Sequence, residues 1–165
     1  MSKNGVLVIT GGGRGIGAAT ARLAAEKGYA VCVNYLQDRN SAEKLVKEMK
    51  TKAIAIQADT SVEADVVRLF KTVDEDLGRI TALVNNAGIV LRQSRVEDMD
   101  AARIQRMMAV NVLGPLLCAR EAIKRMSTRH GGKGGAIVNI SSGASRLGSP
   151  ANTSTMPPRR GRSTR

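Results

Sequence analysis

The 165 residues suffice for one domain with a real core and exclude two of ordinary size. With 42% hydrophobic residues but only 2% aromatic, the composition fits a globular α/β protein whose core is built from Val, Ile, Leu, Ala and Met. The net charge of +12 invites a polyanion partner, yet Arg159, Arg160, Arg162 and Arg165 supply four of those charges from the tail, and most others alternate with acids, as in SAEKLVKEMK; solvated helix faces and a basic tail are expected, with no nucleic-acid or membrane partner.

MSKNG runs straight into the first β-branched run, VLVIT (6–10), and no apolar stretch approaches a membrane span, so a cytoplasmic chain is expected. A helical period covers 15–28, AVCVN (30–34) reads as the second strand, and a second helix fits 41–50. KAIAIQA (52–58) is the third strand, followed by a helix over 62–77. ALVNNA (82–87) is the fourth, followed by a long helix over about 101–128. RHGGKGG (129–135) is a glycine-rich connection in which His130 is expected to be exposed and without chemistry, and AIVNIS (136–141) is the fifth strand. Cys32 and Cys118 each lie inside an apolar run, which points to buried reduced thiols and to neither a disulfide nor a metal ligand. Right-handed crossovers turn this alternation into a parallel sheet covered by helices on both faces. The pattern stops near Pro150, so residues 1–150 are expected to form the domain and 151–165 an irregular basic tail.

TGGGRGIG, Thr10 to Gly17, stands between the first strand and the first helix, where a dinucleotide loop has to stand. Gly11 and Gly15 permit a tight turn and close backbone approach to a pyrophosphate, Gly17 permits close packing of helix on sheet, and the helix N-terminus aims its N–H groups at the anion. A Rossmann-like doubly wound sheet follows, ending at about the fifth strand. At the end of the second strand an acid would bind the adenosine ribose of NAD and repel a 2′-phosphate. Asn34 and Tyr35 are there instead, and Arg14 inside the turn can pair a phosphate, so NADP(H) is expected in preference to NAD(H).

With NNAG at Asn85 to Gly88, NVLG at Asn111 and IVNISS ending at Ser142, the chain resembles the short-chain dehydrogenase/reductase family over residues 5 to about 150. The resemblance implies an NAD(P)-dependent oxidoreductase acting on a small carbonyl or alcohol, homo-oligomeric in intact members. It implies that Asp59 contacts the adenine amino group, though helix capping is an equally good reading of that residue. Asn86 would steady the central strand and border the adenosine ribose, and Asn111 would sit in a locally distorted helix whose spare carbonyl holds a proton-relay water. Ser142 would hold the substrate carbonyl. The expected cofactor-binding set is Thr10, Gly11, Gly13, Arg14, Gly15, Ile16, Gly17, Asn34, Tyr35, Asp59, Asn86, Ala87 and Gly88; the expected catalytic residues are Ser142 and Asn111.

The family's proton donor is a tyrosine whose phenol is brought towards working pH by a lysine one helical turn later. Counted from Ser142, their places are taken by Met156 and Arg160, and the chain's two tyrosines, Tyr29 and Tyr35, flank the second strand on the adenosine side. One restored G after the Pro150 codon, with codons chosen to suit, lets the tail read GEYVDYAASKGAVDT, which looks like the family's active-site segment. The expectation is therefore a frameshift after Pro150, an unpaired fifth strand, doubtful assembly and little activity in this chain. A non-catalytic NADP(H)-binding remnant is the second reading, and a basic interaction module using the arginine tail the third.

Overall fold

In the computed structural model the described residues are 4–92 and 94–143. Five strands form one parallel sheet: β1 (Val6–Ile9), β2 (Ala30–Tyr35), β3 (Ala53–Gln57), β4 (Ile80–Asn85) and β5 (Ala136–Asn139). Their order is β3-β2-β1-β4-β5, so the chain switches from one half of the sheet to the other between β1 and β4. Helices α1 (Gly15–Glu26), α2 (Arg39–Lys47), α3 (Glu63–Asp76), α4 (Ala101–Met108) and α5 (Gly114–Met126) connect them, with a π-helical turn over Ala109–Leu113 between α4 and α5. The doubly wound α/β sheet is as expected.

Side chains alternate across each strand and divide the core into two layers. Val6, Val8 and Cys32 face α3 and α5, where Leu69, Phe70, Val73, Cys118 and Ala122 meet them. Leu7, Ile9, Val31 and Val33 face α1 and α2, meeting Ala18, Ala21, Ala42 and Leu45. Because both faces are covered, β1 and β2 are buried along nearly their whole length, which is why they read as continuous apolar runs. Phe70, the single phenylalanine, is fully buried at the centre of the first layer. Cys32 and Cys118 are buried free thiols, and burial, with Glu121 nearby, pushes the Cys118 thiol up to about 12.

The fourth strand starts and stops two residues earlier than its sequence suggests. Ile80 pairs with Val6 at the start of the ladder, and at the far end the N–H groups of Asn86 and Ala87 turn away to the hydroxyl of Thr10. The long helix over 101–128 is three segments, with the π turn in its middle. His130 is exposed in a short 3-10 turn. Among the described residues β5 pairs with β4 alone, and no helix is long and apolar enough to cross a membrane.

Candidate functional site

All five strands point their C-terminal ends at one edge of the sheet, and the switch point between β1 and β4 opens a crevice there. Its floor is a clamp between the residues that follow those strands. The Thr10 hydroxyl accepts the N–H groups of Asn86 and Ala87, both at 3.0 Å, while the Asn86 side-chain amide donates to the carbonyls of Thr10 and Gly11, also at 3.0 Å. Glycine is required at two points of this clamp. A Cβ on Gly17 would lie 2.6 Å from the Gly11 carbonyl oxygen and 2.7 Å from the Asn86 amide nitrogen, and Gly11 has φ +60° with a Cβ position 3.0 Å from the Ala87 Cα. Helix α1 then starts at Gly15 with no side-chain cap, unlike α2 and α4, which Asp38 and Asp100 cap. Its first N–H groups are left facing the crevice mouth, which is what an anion needs.

The cleft over this clamp has a volume of about 450 Å³. Of the residues expected to bind a dinucleotide, Gly11, Gly13, Arg14, Asn34, Tyr35, Asp59, Asn86, Ala87 and Gly88 line it. Thr10 and Gly17 are buried behind it, and Ile16 is 63% exposed at the start of α1. A larger hollow of about 570 Å³ beside the edge strand β3 contains none of the expected residues.

Asn34 lines the cleft, but its amide is spent inside the fold. Its Oδ1 accepts the Gly11 N–H at 3.2 Å and its Nδ2 donates to the carbonyls of Ile56 and Ala58. It therefore fixes the glycine turn to β2 and β3. β2 itself ends at Asn34 and Tyr35 without a carboxylate. Beyond Tyr35 the chain continues over Leu36 and Gln37 along the cleft wall and brings in Asp38. The N–H and hydroxyl of Ser41, with the charge of Arg14, hold the Asp38 carboxyl below the usual range.

Asp59 has protein partners on both carboxylate oxygens. Its Oδ1 accepts the N–H and hydroxyl of Ser61 at 2.9 and 2.6 Å, closing the turn that leads into α3, while the side chain of Asp65 reaches back to the Asp59 N–H at 2.8 Å. Its Oδ2 is met by both terminal nitrogens of Arg106 on α4, each at 3.4 Å. Burial pushes this carboxyl up, but Ser61 and Arg106 together outweigh burial and hold it low.

Asn111 stands in the π turn, and its amide pairs with the backbone of Ile89 through two hydrogen bonds. Ser142 lies three residues past the end of β5, exposed, at the same edge of the sheet. Met156 and Arg160 fall outside the described residues. Asp38 and Arg106 are the charged cleft residues that sequence reasoning missed.

The family profile described as short chain dehydrogenase matches residues 5–154. The chain belongs to that family. It is 51% identical over 148 residues to the uncharacterized oxidoreductase YgfF of Escherichia coli (strain K12), covering 88% of this chain and 60% of that protein. A 3-oxoacyl-acyl-carrier-protein reductase of Synechocystis is 38% identical over 152 residues, covering 88% of this chain and 58% of the reductase. Among solved structures, a doubly substituted short-chain dehydrogenase/reductase from Serratia marcescens superposes with a TM-score of 0.80 at 31% identity, over 88% of this chain and 59% of the other. The chain thus spans about three fifths of the length of these short-chain dehydrogenases. The family's oxidoreductases bind NAD(P), and the uncapped start of α1 with glycine at positions 11 and 15 of the turn fits a pyrophosphate. Beside Gly15, at φ +55°, lies open space on the side a Cβ would occupy.

Proposed function

We propose that this short-chain dehydrogenase chain binds NADP(H) in the cleft, with the chemistry of its family being hydride transfer between the nicotinamide and a carbonyl or alcohol. The carrying observation is Arg14. It stands exposed in the glycine turn beside the cleft wall and makes no ion pair among the described residues, so its guanidinium is available to a 2′-phosphate. Asp38, the acid that could bind a ribose hydroxyl instead, caps α2 through Oδ1, which accepts the Ser41 N–H.

The same reading makes this chain a binder without turnover. A carbonyl reduced by hydride must receive a proton, and the family resemblance gives that task to a tyrosine phenol within hydrogen-bond reach. Tyr29 packs against the α1 and α2 layer, and Tyr35 lies at the end of β2. Neither is beside β5 and Ser142. The substrate would be held by the Ser142 hydroxyl, and the π turn at Asn111 would supply a carbonyl for a relay water.

Titration of NADPH and NADH against the protein, followed by cofactor fluorescence, tests the binding. NADPH should bind about tenfold or more tighter than NADH, and Arg14→Ala should remove most of that difference, since charge-assisted hydrogen bonds contribute roughly 1.5–3 kcal/mol. Equal affinities, or tighter NADH, would overturn the cofactor preference. Steady consumption of NADPH with any carbonyl compound would overturn the absence of turnover.

A further inference from the structure

Arg106 has no part in the roles assigned so far, yet it lines the cleft beside Asp59. The three side chains Asp59, Ser61 and Arg106 make a directed chain. The Ser61 hydroxyl donates to Asp59 Oδ1 at 2.6 Å and accepts from Arg106 Nη1 at 3.0 Å. With a backbone N–H also on it, Oδ1 has both its acceptor sites taken. Oδ2 is the oxygen left to the cleft, and the Arg106 nitrogens approach it at a loose 3.4 Å, which leaves room for one further donor. An isolated pair of this exposure would be an ordinary surface ion pair of little energetic value. Here the pair is more definite, because both residues line the cleft and the hydrogen bonds set the two oxygens of the acid apart.

The structure also links this corner to the chemistry. Arg106 is on α4, which runs directly into the π turn carrying Asn111. Just beyond, Gly114 brings the start of α5 so close to the loop after β3 that a Cβ there would lie 3.1 Å from both the carbonyl oxygen and the hydroxyl of Thr60. The loop over residues 59–61 is therefore held to the α4–α5 unit from two sides.

We propose, resting on the cofactor reading above, that Arg106 is a positioning residue that makes the cleft selective for the base of the dinucleotide. It orients Asp59 Oδ2 as an acceptor-only oxygen, which takes the amino group of adenine and rejects the carbonyl that replaces it in hypoxanthine. Two acceptors facing each other across a cleft leave both unpaired, and a site built for a donor discriminates strongly against its absence. Ser61 and then Arg106 both favour the ionised Asp59 carboxyl against the effect of burial.

The test is equilibrium binding of NADPH and of its hypoxanthine analogue to the wild-type chain, Arg106→Gln, Arg106→Lys and Asp59→Asn, with urea unfolding of each. Wild type should favour adenine by on the order of tenfold, and Arg106→Gln should reduce the ratio to within about threefold while its unfolding midpoint stays close to wild type. Arg106→Lys, which keeps the charge and one donor, should retain part of the selectivity. Asp59→Asn should lose it, and adding Arg106→Gln to Asp59→Asn should change the ratio no further, because the two residues act through one oxygen. A ratio unchanged in Arg106→Gln, with NADPH still bound, overturns this inference alone. Failure of the wild-type chain to bind either cofactor overturns both this inference and the cofactor reading.

Discussion

Asn111 and Ile89 are joined as a closed amide pair: Asn111 Oδ1 accepts the Ile89 N–H at 2.9 Å and Asn111 Nδ2 donates to the Ile89 carbonyl at 3.0 Å. The pair ties the π turn between α4 and α5 to the strand-to-loop exit of β4, next to Gly88, whose Cβ position is 3.3 Å from the same Oδ1. One side chain thus holds the wide turn of the helix against the segment that borders the cleft. Both polar atoms of the Asn111 side chain are thus engaged by the protein backbone.

Replacing Asn111 by Leu keeps the volume but leaves the partly buried N–H and carbonyl of Ile89 without partners. The expected cost is about 1–3 kcal/mol. Urea unfolding should show a lower midpoint with an unchanged slope, and a midpoint equal to wild type would mean that water replaces the amide without loss.

Glu121 is a buried acid held by three cations. Its side chain is 5% exposed, and Arg120, Lys124 and Arg125 reach it at 3.1, 2.8 and 3.0 Å. Arg125 also pairs with Asp74 at 2.6 Å and lies over the Phe70 ring, so the cluster fastens α5 to α3. Burial pushes the Glu121 carboxyl up, but the cations outweigh burial and hold it below the ordinary carboxylate range. A depressed folded value gives stability that is fully present above the unfolded value and lost as pH falls through the folded one. Glu121→Gln should therefore destabilise the protein at neutral pH by about 1–3 kcal/mol, less than a fully buried pair because Arg120 and Lys124 are roughly half exposed. The difference from wild type should shrink towards zero in acid. A difference that stays constant between neutral and acid pH would show that packing, not charge, is what Glu121 contributes.

The glycine turn was legible because its spacing is dictated by backbone geometry that only glycine meets, and Gly11 at φ +60° with Gly17 against Asn86 bears this out. The two-layer core was legible from strand alternation. Asn111 could be placed in a distorted helix only by family resemblance, since AVNVL carries no breaker and a π turn leaves no mark in a 3.6-residue period. Asp38 escaped because attention to the last residues of β2 stops at Tyr35, while the cleft wall continues three residues further. Arg106 escaped because it is 47 residues from Asp59, and an arginine on a helix surface has no sequence mark of its partner.

Gly17→Ala tests the clamp at its tightest point. The new methyl would press on the Gly11 carbonyl and the Asn86 amide at once, forcing apart two of the hydrogen bonds that tie the ends of β1 and β4 at the switch point. Overpacking of this kind costs about 1–3 kcal/mol, and the displaced turn should lose NADPH affinity by about tenfold or more. Calorimetric titration reads the affinity and a thermal melt the stability. Wild-type values of both would show that helix α1 can slide outward without disturbing the turn.

The outer face of the α4–α5 unit governs behaviour in solution. Ile104, Met108, Val112, Leu116 and Ile123 are all 40% or more exposed and recur at helical spacing, with Leu116 at 63% the most exposed of them. At the end of the sheet, Val138 and Ile140 are likewise exposed on and beside β5, which pairs on one side only among the described residues. Exposed apolar residues on a helix face, and an open strand edge, each favour contact between chains over contact with water. Size-exclusion chromatography with light scattering should show association that grows with concentration, and Leu116→Glu should shift the protein towards monomer by placing a charge on that helix face. A monodisperse wild-type monomer with a sharp cooperative melt would show that this face is stable in water and that the open edge of β5 carries no penalty.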